Sequence, residues 1–349
     1  MVMAHVTDAW TRDADRHGGL YMGSVFVAGL ASPLFLFLAG LSLSMAASMR
    51  SLKVGHAEAA RLALKRGVQV FALAFLFRLQ SQLLGWGALS NFLKVDILNV
   101  MGLAMIAAAL IWRASASRTA RVVMFALATV AVAMTTPLVR ELGALAVLPD
   151  PIEAYIRPLP GRSNFALFPW AAFVLAGGIA GELIHAARTR AEEQRLQVGL
   201  LLSGLAAIGL GYAASFQPSL YPVANFWTSS PTFFFIRLGI CAAMAPIARA
   251  IDLFHVLMRT SYPQRFSMDT PGRVTATLGK SSLFVYWIHV EMVYGVLGRP
   301  FRRGLPLEAS LVATAVLCLA LYAIVLWKNR VMAGVTLTGP FRVFAPVLK

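Results

Sequence analysis

Long runs of apolar residues alternate with short polar connections along the whole chain. A helix needs about 20 mostly apolar residues to cross the hydrocarbon core of a bilayer. Nine such runs lie at about residues 22–48, 67–89, 95–112, 122–139, 165–187, 198–214, 232–251, 278–298 and 308–327. The pattern therefore predicts an all-α protein, a polytopic transmembrane helical bundle that forms a single domain over residues 1–349.

The first residues predict part of one more helix. Met1–Ala4 are apolar and lead directly into His5, but four residues are too few to span a membrane. We interpret this segment as the last turn of a truncated first helix whose beginning is missing. A short N-terminus outside the cell is the alternative interpretation.

Small residues recur at four-residue spacing in two of the predicted spans. The first span contains Gly40, Ser44 and Ser48, and the fifth contains Gly177 and Gly181. Small side chains at this spacing allow helices to approach closely in lipid. We therefore expect close helix contacts at these positions.

Composition agrees with a membrane protein and excludes a soluble one. Hydrophobic residues make up 58% of the chain, charged residues only 13%, and the mean hydropathy is +0.71. A soluble domain contains about 25% charged residues. The net charge of +16 suggests nucleic acid at first, but the basic residues lie in short loops between apolar runs, so no nucleic-acid partner is expected.

The distribution of Lys and Arg predicts the orientation. The loop 49–66 holds five basic residues and is placed in the cytoplasm. Alternation puts four other segments on the same side: 113–121, 188–197, 249–280 and 328–349. This side holds 20 basic residues and the other side 9, which predicts an external N-terminus and a cytoplasmic C-terminus.

Ionisable side chains inside spans are candidate functional residues, because they are costly in lipid. Arg78 lies near the middle of the second span and Arg237 near the outer end of the seventh. His289 lies halfway along the eighth, with Tyr286 on the same helical face. Glu291 points away from His289, so we expect it to have a different partner.

Further polar residues are expected near the outer side. Asp96 and Asn99 share a face at the outer end of the third span, and His5 ends the truncated helix. Residues from different helices at this depth could line a polar chamber that opens outward. Internal salt bridges, such as Arg78 with Asp96, explain the same residues equally well. Asp8, Asp13 and Asp15 lie close enough in sequence to orient the imidazole of His5, although a short charged loop needs no such explanation.

Other reactive residues are given no functional role. Cys241 and Cys318 lie in apolar runs, which excludes a disulfide framework, and their spacing predicts no metal site. Glu182 is close to the inner end of its span, where a solvated carboxylate is expected. No role is assigned to four histidines: His17, His56, His185 and His255.

Six stretches in order carry a resemblance to a known family. They are MVMAHVTDAW, ASPLFLFLAGLSLS, LKRGVQV, LKVDILNVMGLA, FPWAAFVLAGGIAGELI and LGKSSLFVYWIHVE. With these stretches the chain resembles the membrane domain of heparan-α-glucosaminide N-acetyltransferase and its bacterial relatives. It is similar, more distantly, to acyltransferase family 3.

The resemblance implies transfer of an acyl group, expected to be acetyl, from cytoplasmic acyl-CoA to a carbohydrate on the far side of the membrane. It makes His5 the central histidine, with His17 as the nearest candidate for the position used in the lysosomal enzyme. Asp96 and His289 complete the expected catalytic group. Lys65 and Arg66 could contact the CoA phosphates, although they also fit a plain topology signal.

The remaining candidates are assigned to substrate binding. Arg78 or Arg237 could stabilise the oxyanion of the transfer. The full set expected to bind substrate is Arg78, Asn99, Arg237, Tyr286 and Glu291.

Three functions are compatible with the sequence. The leading hypothesis is an acyl-CoA-dependent O- or N-acyltransferase in a bacterial cytoplasmic membrane, with membrane lipids and a carbohydrate acceptor as partners and no metal. A secondary transporter is the alternative, because intramembrane Arg, Asp, His and Glu also mark substrate or proton paths. A non-catalytic membrane scaffold is the third.

Overall fold

The structure is a computed structural model that describes residues 1–85, 92–261 and 270–333. These residues form helices joined by short connections. The helices are α1 (Val2–Trp10), α2 (Gly19–Gly29), α3 (Ala31–Val54), α4 (His56–Gly85), α5 (Ile97–Ala114), α6 (Arg118–Glu141), α7 (Asp150–Ile156), α8 (Leu167–Ala186), α9 (Arg190–Ala214), α10 (Pro231–Ser261), α11 (Thr270–Lys280), α12 (Ser282–Tyr294) and α13 (Leu307–Met332).

Within the described residues, 7 segments are long and apolar enough to cross a membrane. They are Gly19–Val54, Ile97–Ala114, Arg118–Glu141, Leu167–Ala186, Arg190–Ala214, Pro231–Phe254 and Leu307–Met332. The protein is therefore a polytopic helical membrane protein, as the hydropathy pattern predicts. The two other predicted spans, 67–89 and 278–298, are not among these segments, so the count of nine stays a prediction.

Two predicted spans are interrupted in the structure. The first consists of α2 and α3, which meet at Leu30. The eighth is divided at Ser281 into α11 and α12, and its last residues belong to a short 3-10 helix, Val296–Phe301. Hydropathy did not reveal the break at Leu30, because apolar residues continue on both sides of it.

Local sequence signals explain where several helices begin. Asp96 and Asn99 form a capping box at the start of α5, and Thr189 and Glu192 form another at the start of α9. In each box the two side chains satisfy backbone N–H groups that lack a partner within the helix. Ser117 accepts a hydrogen bond from the backbone of Ala120 at the start of α6.

The chain divides into two units that are described separately. The first comprises the described residues within Met1–Ala31, Leu76–Leu89 and Asp252–Lys349. The second comprises those within Ser32–Phe75 and Ser90–Ile251. α4 and α10 each contribute residues to both units.

The second unit contains the close helix approach that its small residues predict. A Cβ atom added to Gly40 would lie 1.8 Å from the carbonyl oxygen of Val174. One added to Gly177 would lie 1.9 Å from the carbonyl oxygen of Phe37. α3 and α8 therefore pack backbone against backbone, which confirms this expectation and brings polar residues of both helices together.

In the first unit, α1 packs in a hydrophobic cluster with α12 and α13. Its buried residues are Val6, Ala9, Trp10, Val293, Leu317 and Leu321. Val6 is 0% exposed, which is the burial expected of a core side chain. This packing fixes the face of α1 that carries His5 against α12.

Candidate active site

α12 presents a tyrosine and a histidine to the interior of the first unit. Tyr286 and His289 are three positions apart, which places them on one helical face. Their ring centroids are 5.7 Å apart. His289 is 0% exposed and Tyr286 is 3% exposed, so this face is buried. The prediction that they share a helical face is confirmed.

The hydrogen bond of His289 defines which ring nitrogen carries its proton. Nδ1 lies 2.7 Å from the carbonyl oxygen of Val285, one helical turn earlier. A carbonyl oxygen only accepts, so Nδ1 donates and the neutral ring has its lone pair on Nε2. Nε2 is buried and makes no hydrogen bond to any described residue. His289 therefore presents an unprotonated nitrogen inside the unit.

His5 of α1 lies beside this face of α12. Its ring centroid is 5.2 Å from that of His289 and 5.4 Å from that of Tyr294. The two imidazoles, on residues from opposite ends of the chain, thus form a pair. The sequence assigned both to one site, and the structure brings them together.

A chain of hydrogen bonds leads from a carboxylate to His5. The Tyr294 hydroxyl donates to Asp8 Oδ2 at 2.9 Å, because a carboxylate only accepts. The Tyr294 oxygen is 3.2 Å from His5 Nδ1 and accepts the proton on that nitrogen. In a neutral His5 this leaves the lone pair on Nε2. Asp8 also pairs with Arg16 at 3.0 Å, which holds the carboxylate in place.

The segment after α1 is attached to the chain that precedes α13. Backbone hydrogen bonds join Trp10 to Leu305 at 2.9 Å and Arg12 to Leu305 at 2.8 Å. The Trp10 indole donates to the carbonyl oxygen of Val293 at 3.1 Å. These bonds hold α1 in register with α12, which positions His5.

Three arginines, Arg299, Arg302 and Arg303, follow α12 in the chain. Arg303 forms an ion pair with Asp13, and Arg302 donates to the carbonyl oxygen of Tyr294. Two of the three therefore hold this unit together. Arg299 makes no ion pair with a described residue.

Arg78 and Glu291 also belong to the first unit. Ser81 hydrogen-bonds to the Glu291 carboxylate, and Arg78 is close enough to interact with its charge. Glu291 therefore has a partner other than His289, as its position on the helix predicts. The Glu291 Oε1 atom is buried without a hydrogen bond to a described residue.

Asp96 and Asn99 lie in the second unit, and their visible interactions are structural. Asp96 accepts from the backbone of Ile97 at 2.7 Å, and Asn99 accepts from the backbone of Asp96 at 3.1 Å. Asn99 also donates to the Tyr155 hydroxyl at 3.2 Å. They share one helix end, as predicted. A catalytic role for Asp96 stays a prediction.

Lys65, Arg66 and Arg237 also lie in the second unit. Lys65 is exposed on α4, while Arg66 is half-buried. The Arg237 guanidinium lies 3.9 Å from the ring centroid of Phe233 and 6.0 Å from that of Trp170. CoA binding by Lys65 and Arg66, and oxyanion stabilisation by Arg237, stay predictions.

The prediction of a solvated Glu182 is wrong. Its side chain is 0% exposed and accepts from Ser44 and Ser48 at 2.7 Å each and from Trp112 at 2.8 Å. Arg121 donates to the other carboxylate oxygen at 2.7 and 3.0 Å. The close approach of α3 and α8 buries this carboxylate, and the arginine and three donors offset its desolvation.

The sequence missed Tyr294 as a functional candidate. Its position in the chain gives no signal, because a tyrosine near the end of an apolar helix normally fits the membrane interface. The described residues contain no group of three or more His, Cys, Asp or Glu residues able to hold a metal.

Comparison with known families gives one match. The family model described as heparan-alpha-glucosaminide N-acetyltransferase, catalytic, matches residues 1–213, well over half of the chain. The matched region includes His5 and five of the six stretches that carry the resemblance, while LGKSSLFVYWIHVE lies beyond it. The chain matches no curated protein and no solved structure.

Proposed function

Because the chain belongs to the heparan-alpha-glucosaminide N-acetyltransferase catalytic family, we propose that it transfers an acetyl group from cytoplasmic acetyl-CoA to a carbohydrate on the outer face of a bacterial cytoplasmic membrane. This family consists of membrane N-acetyltransferases that use acetyl-CoA. Membership therefore favours group transfer over the transporter alternative.

The observation that carries the chemistry is the His5–His289 pair with its Tyr294–Asp8 extension. A general base needs a lone pair that faces the substrate and a group that stabilises the protonated ring. Tyr294 and Asp8 supply the second requirement at His5 Nδ1. His289 supplies another unprotonated nitrogen 5.2 Å away, measured between ring centroids.

In the proposed reaction, His5 removes the proton from an amine or hydroxyl group of the sugar as that group attacks the thioester carbonyl. The new C–N or C–O bond forms, the C–S bond breaks, and CoA leaves as a thiolate. The proton held by His5 then passes to the thiolate. His289 Nε2 accepts a hydrogen bond from the sugar and orients it.

The test compares two histidines of α1 and the following loop. Membranes containing wild type, His5→Ala or His17→Ala receive acetyl-CoA with a labelled acetyl group, and glucosamine as acceptor. We expect the His5 variant to lose about 10²–10⁴-fold of transfer, the usual contribution of a positioned base. His17 is exposed and outside the pair, so its variant should retain activity.

Equal amounts of each variant in the membrane must be confirmed before rates are compared. Undiminished transfer by His5→Ala would exclude the proposed base. Loss of transfer only in the His17→Ala variant would assign the site to His17, the other candidate histidine. Failure of the wild type to acetylate glucosamine would refute an aminosugar acceptor.

A further inference from the structure

A cavity of about 470 Å³ lies in the second unit, lined by residues from one end of each of α6, α8 and α10. Arg140 comes from the last turn of α6, Trp170 from the first turn of α8, and Arg237 from the second turn of α10. This volume is in the range of pockets that hold small organic ligands. The steps given above for His5 and His289 involve none of the residues that line this cavity.

Both arginines in the cavity lack an acidic partner among the described residues. Arg140 donates from Nη2 to the carbonyl oxygen of Phe168 at 3.3 Å, but its Nε is buried with no hydrogen bond to a described residue. Arg237 is in contact with aromatic rings rather than with a carboxylate. Both arginines are half-buried, and a cation withdrawn from water normally has a counter-charge, so two together favour an anionic ligand.

Two acidic residues between α6 and α8 already have basic partners, and Glu141, at the end of α6, is exposed. Glu153 pairs with Arg157 at 2.5 Å, and Asp150 pairs with Arg162 at 3.4 Å. The segment that joins α6 to α8 thus provides ion pairs outside the cavity and leaves the two cavity arginines without one. An anion from outside the protein can complete their coordination, since a guanidinium binds carboxylate or phosphate with two parallel hydrogen bonds.

The rest of the wall is aromatic with a few hydrogen-bonding groups. Trp170, Trp227 and Phe233 supply flat apolar faces, and Asn164 and Thr228 supply polar atoms. Flat faces pack against the C–H surface of a sugar ring, while amide and hydroxyl groups match its hydroxyls. A bare inorganic anion would leave most of this wall unused.

We propose that this cavity binds a sugar ring that carries an anionic group, a phosphate or a carboxylate. The guanidinium groups of Arg140 and Arg237 hold the anion, and the tryptophans pack against the ring. The cavity lies at the ends of membrane-spanning helices, and this is the depth at which lipid headgroups lie. The ligand is therefore either a soluble sugar phosphate or sugar acid, or the same group attached to a lipid.

The test measures quenching of tryptophan fluorescence in the full chain, purified in neutral detergent. The probes are glucose 1-phosphate, glucose and inorganic phosphate. We expect glucose 1-phosphate to bind at least tenfold more tightly than either other probe, because only it satisfies both the arginines and the aromatic wall. If glucose bound as tightly as glucose 1-phosphate, the proposed need for an anionic group would be refuted. If inorganic phosphate bound as tightly as glucose 1-phosphate, the proposed need for a sugar ring would be refuted.

Variants locate the binding in the cavity. Arg140→Gln and Arg237→Gln should each weaken glucose 1-phosphate binding roughly tenfold or more, the usual effect of losing a charge-assisted hydrogen bond. Arg162→Gln removes a charge from the same segment but outside the cavity and should bind normally. Unfolding temperatures without ligand identify variants that fail to fold. Normal binding by both cavity variants, once folded, would overturn the proposal.

A final comparison distinguishes a soluble sugar ligand from the same group attached to a lipid. The protein is placed in neutral-lipid nanodiscs. One sample receives glucose 1-phosphate, and the other receives nanodiscs that carry a polyprenyl-phosphate-linked glucose. Tighter binding of the lipid-linked form would identify a lipid headgroup, and tighter binding of the free form would identify a soluble sugar. Binding of neither form would refute the site.

Discussion

At the scale of single residues, Tyr294 connects Asp8 to His5 through its hydroxyl group. The Tyr294 hydroxyl donates to the carboxylate and accepts from the imidazole, so it couples the two groups while it keeps its own proton. It thereby selects the His5 tautomer whose lone pair is on Nε2. In the proposed reaction, Tyr294 is a positioning residue rather than the base.

Tyr294→Phe keeps the ring and removes the hydroxyl group that makes this connection. We expect transfer of labelled acetyl to fall about tenfold or more, because His5 loses its Nδ1 acceptor. The pH–rate profile should shift as well, since the protonated imidazole is no longer stabilised by Asp8. Tyr322→Phe, on α13, is the control for the loss of a tyrosine hydroxyl. A lower rate with an unchanged pH profile would contradict the positioning role.

Glu182 shows the cost of breaking a buried ion pair. Glu182→Gln keeps the size of the side chain but leaves Arg121 buried without a counter-charge. We expect the free energy of unfolding to fall by about 3–5 kcal/mol, measured by thermal unfolding in detergent. Glu193→Gln breaks an exposed pair with Arg249 and should cost less than about 1 kcal/mol. Equal losses in both variants would contradict this account.

Some of the site could be predicted at this scale and some could not. His289 and Tyr286 share a helical face, so their spacing alone placed them together. The grouping of His5 with His289 came from their similar predicted depth in the membrane and from the family resemblance at His5, since no periodicity relates residues so far apart. The burial of Glu182 depends on how closely α3 and α8 approach, which its own position in a helix does not reveal.

At the scale of helices, hydropathy located most spans but not their breaks. The division at Ser281 lies in a run that remains apolar on its C-terminal side, and the Ser281 hydroxyl accepts from Lys328 at 3.0 Å. That contact links residues 47 positions apart in the chain. A pattern that averages hydrophobicity along the chain cannot detect it, whereas the small-residue spacing in α3 and α8 did predict their contact.

Gly177 tests that contact directly. Gly177→Ala places a methyl group where the Phe37 carbonyl oxygen would be 1.9 Å away, so α3 and α8 must separate. We expect the unfolding temperature to fall, with a loss of about 1–3 kcal/mol. Gly199→Ala, on α9, has no atom within 4 Å and should be neutral or slightly stabilising. An unchanged unfolding temperature for Gly177→Ala would refute the close approach.

At the scale of the whole molecule, the orientation in the membrane is the open prediction. Basic residues number 20 on the predicted cytoplasmic side and 9 on the other. We expect reporter fusions after Arg61 to be cytoplasmic and fusions after Glu153 to be external. The measurement is a pair of reporters, one active only inside the cell and one only outside. The reverse result would overturn the sidedness of the proposed transfer.

The pairing of α1 with α12 has a consequence for the timing of synthesis. His5 and Tyr294 are 289 positions apart, so a ribosome that adds 5–20 residues per second needs roughly 15–60 s to pass from one to the other. Throughout this interval Val6 and Trp10 lack the partners that later bury them. The candidate site can therefore assemble only after α12 has left the ribosome, when nearly all of the chain is already made.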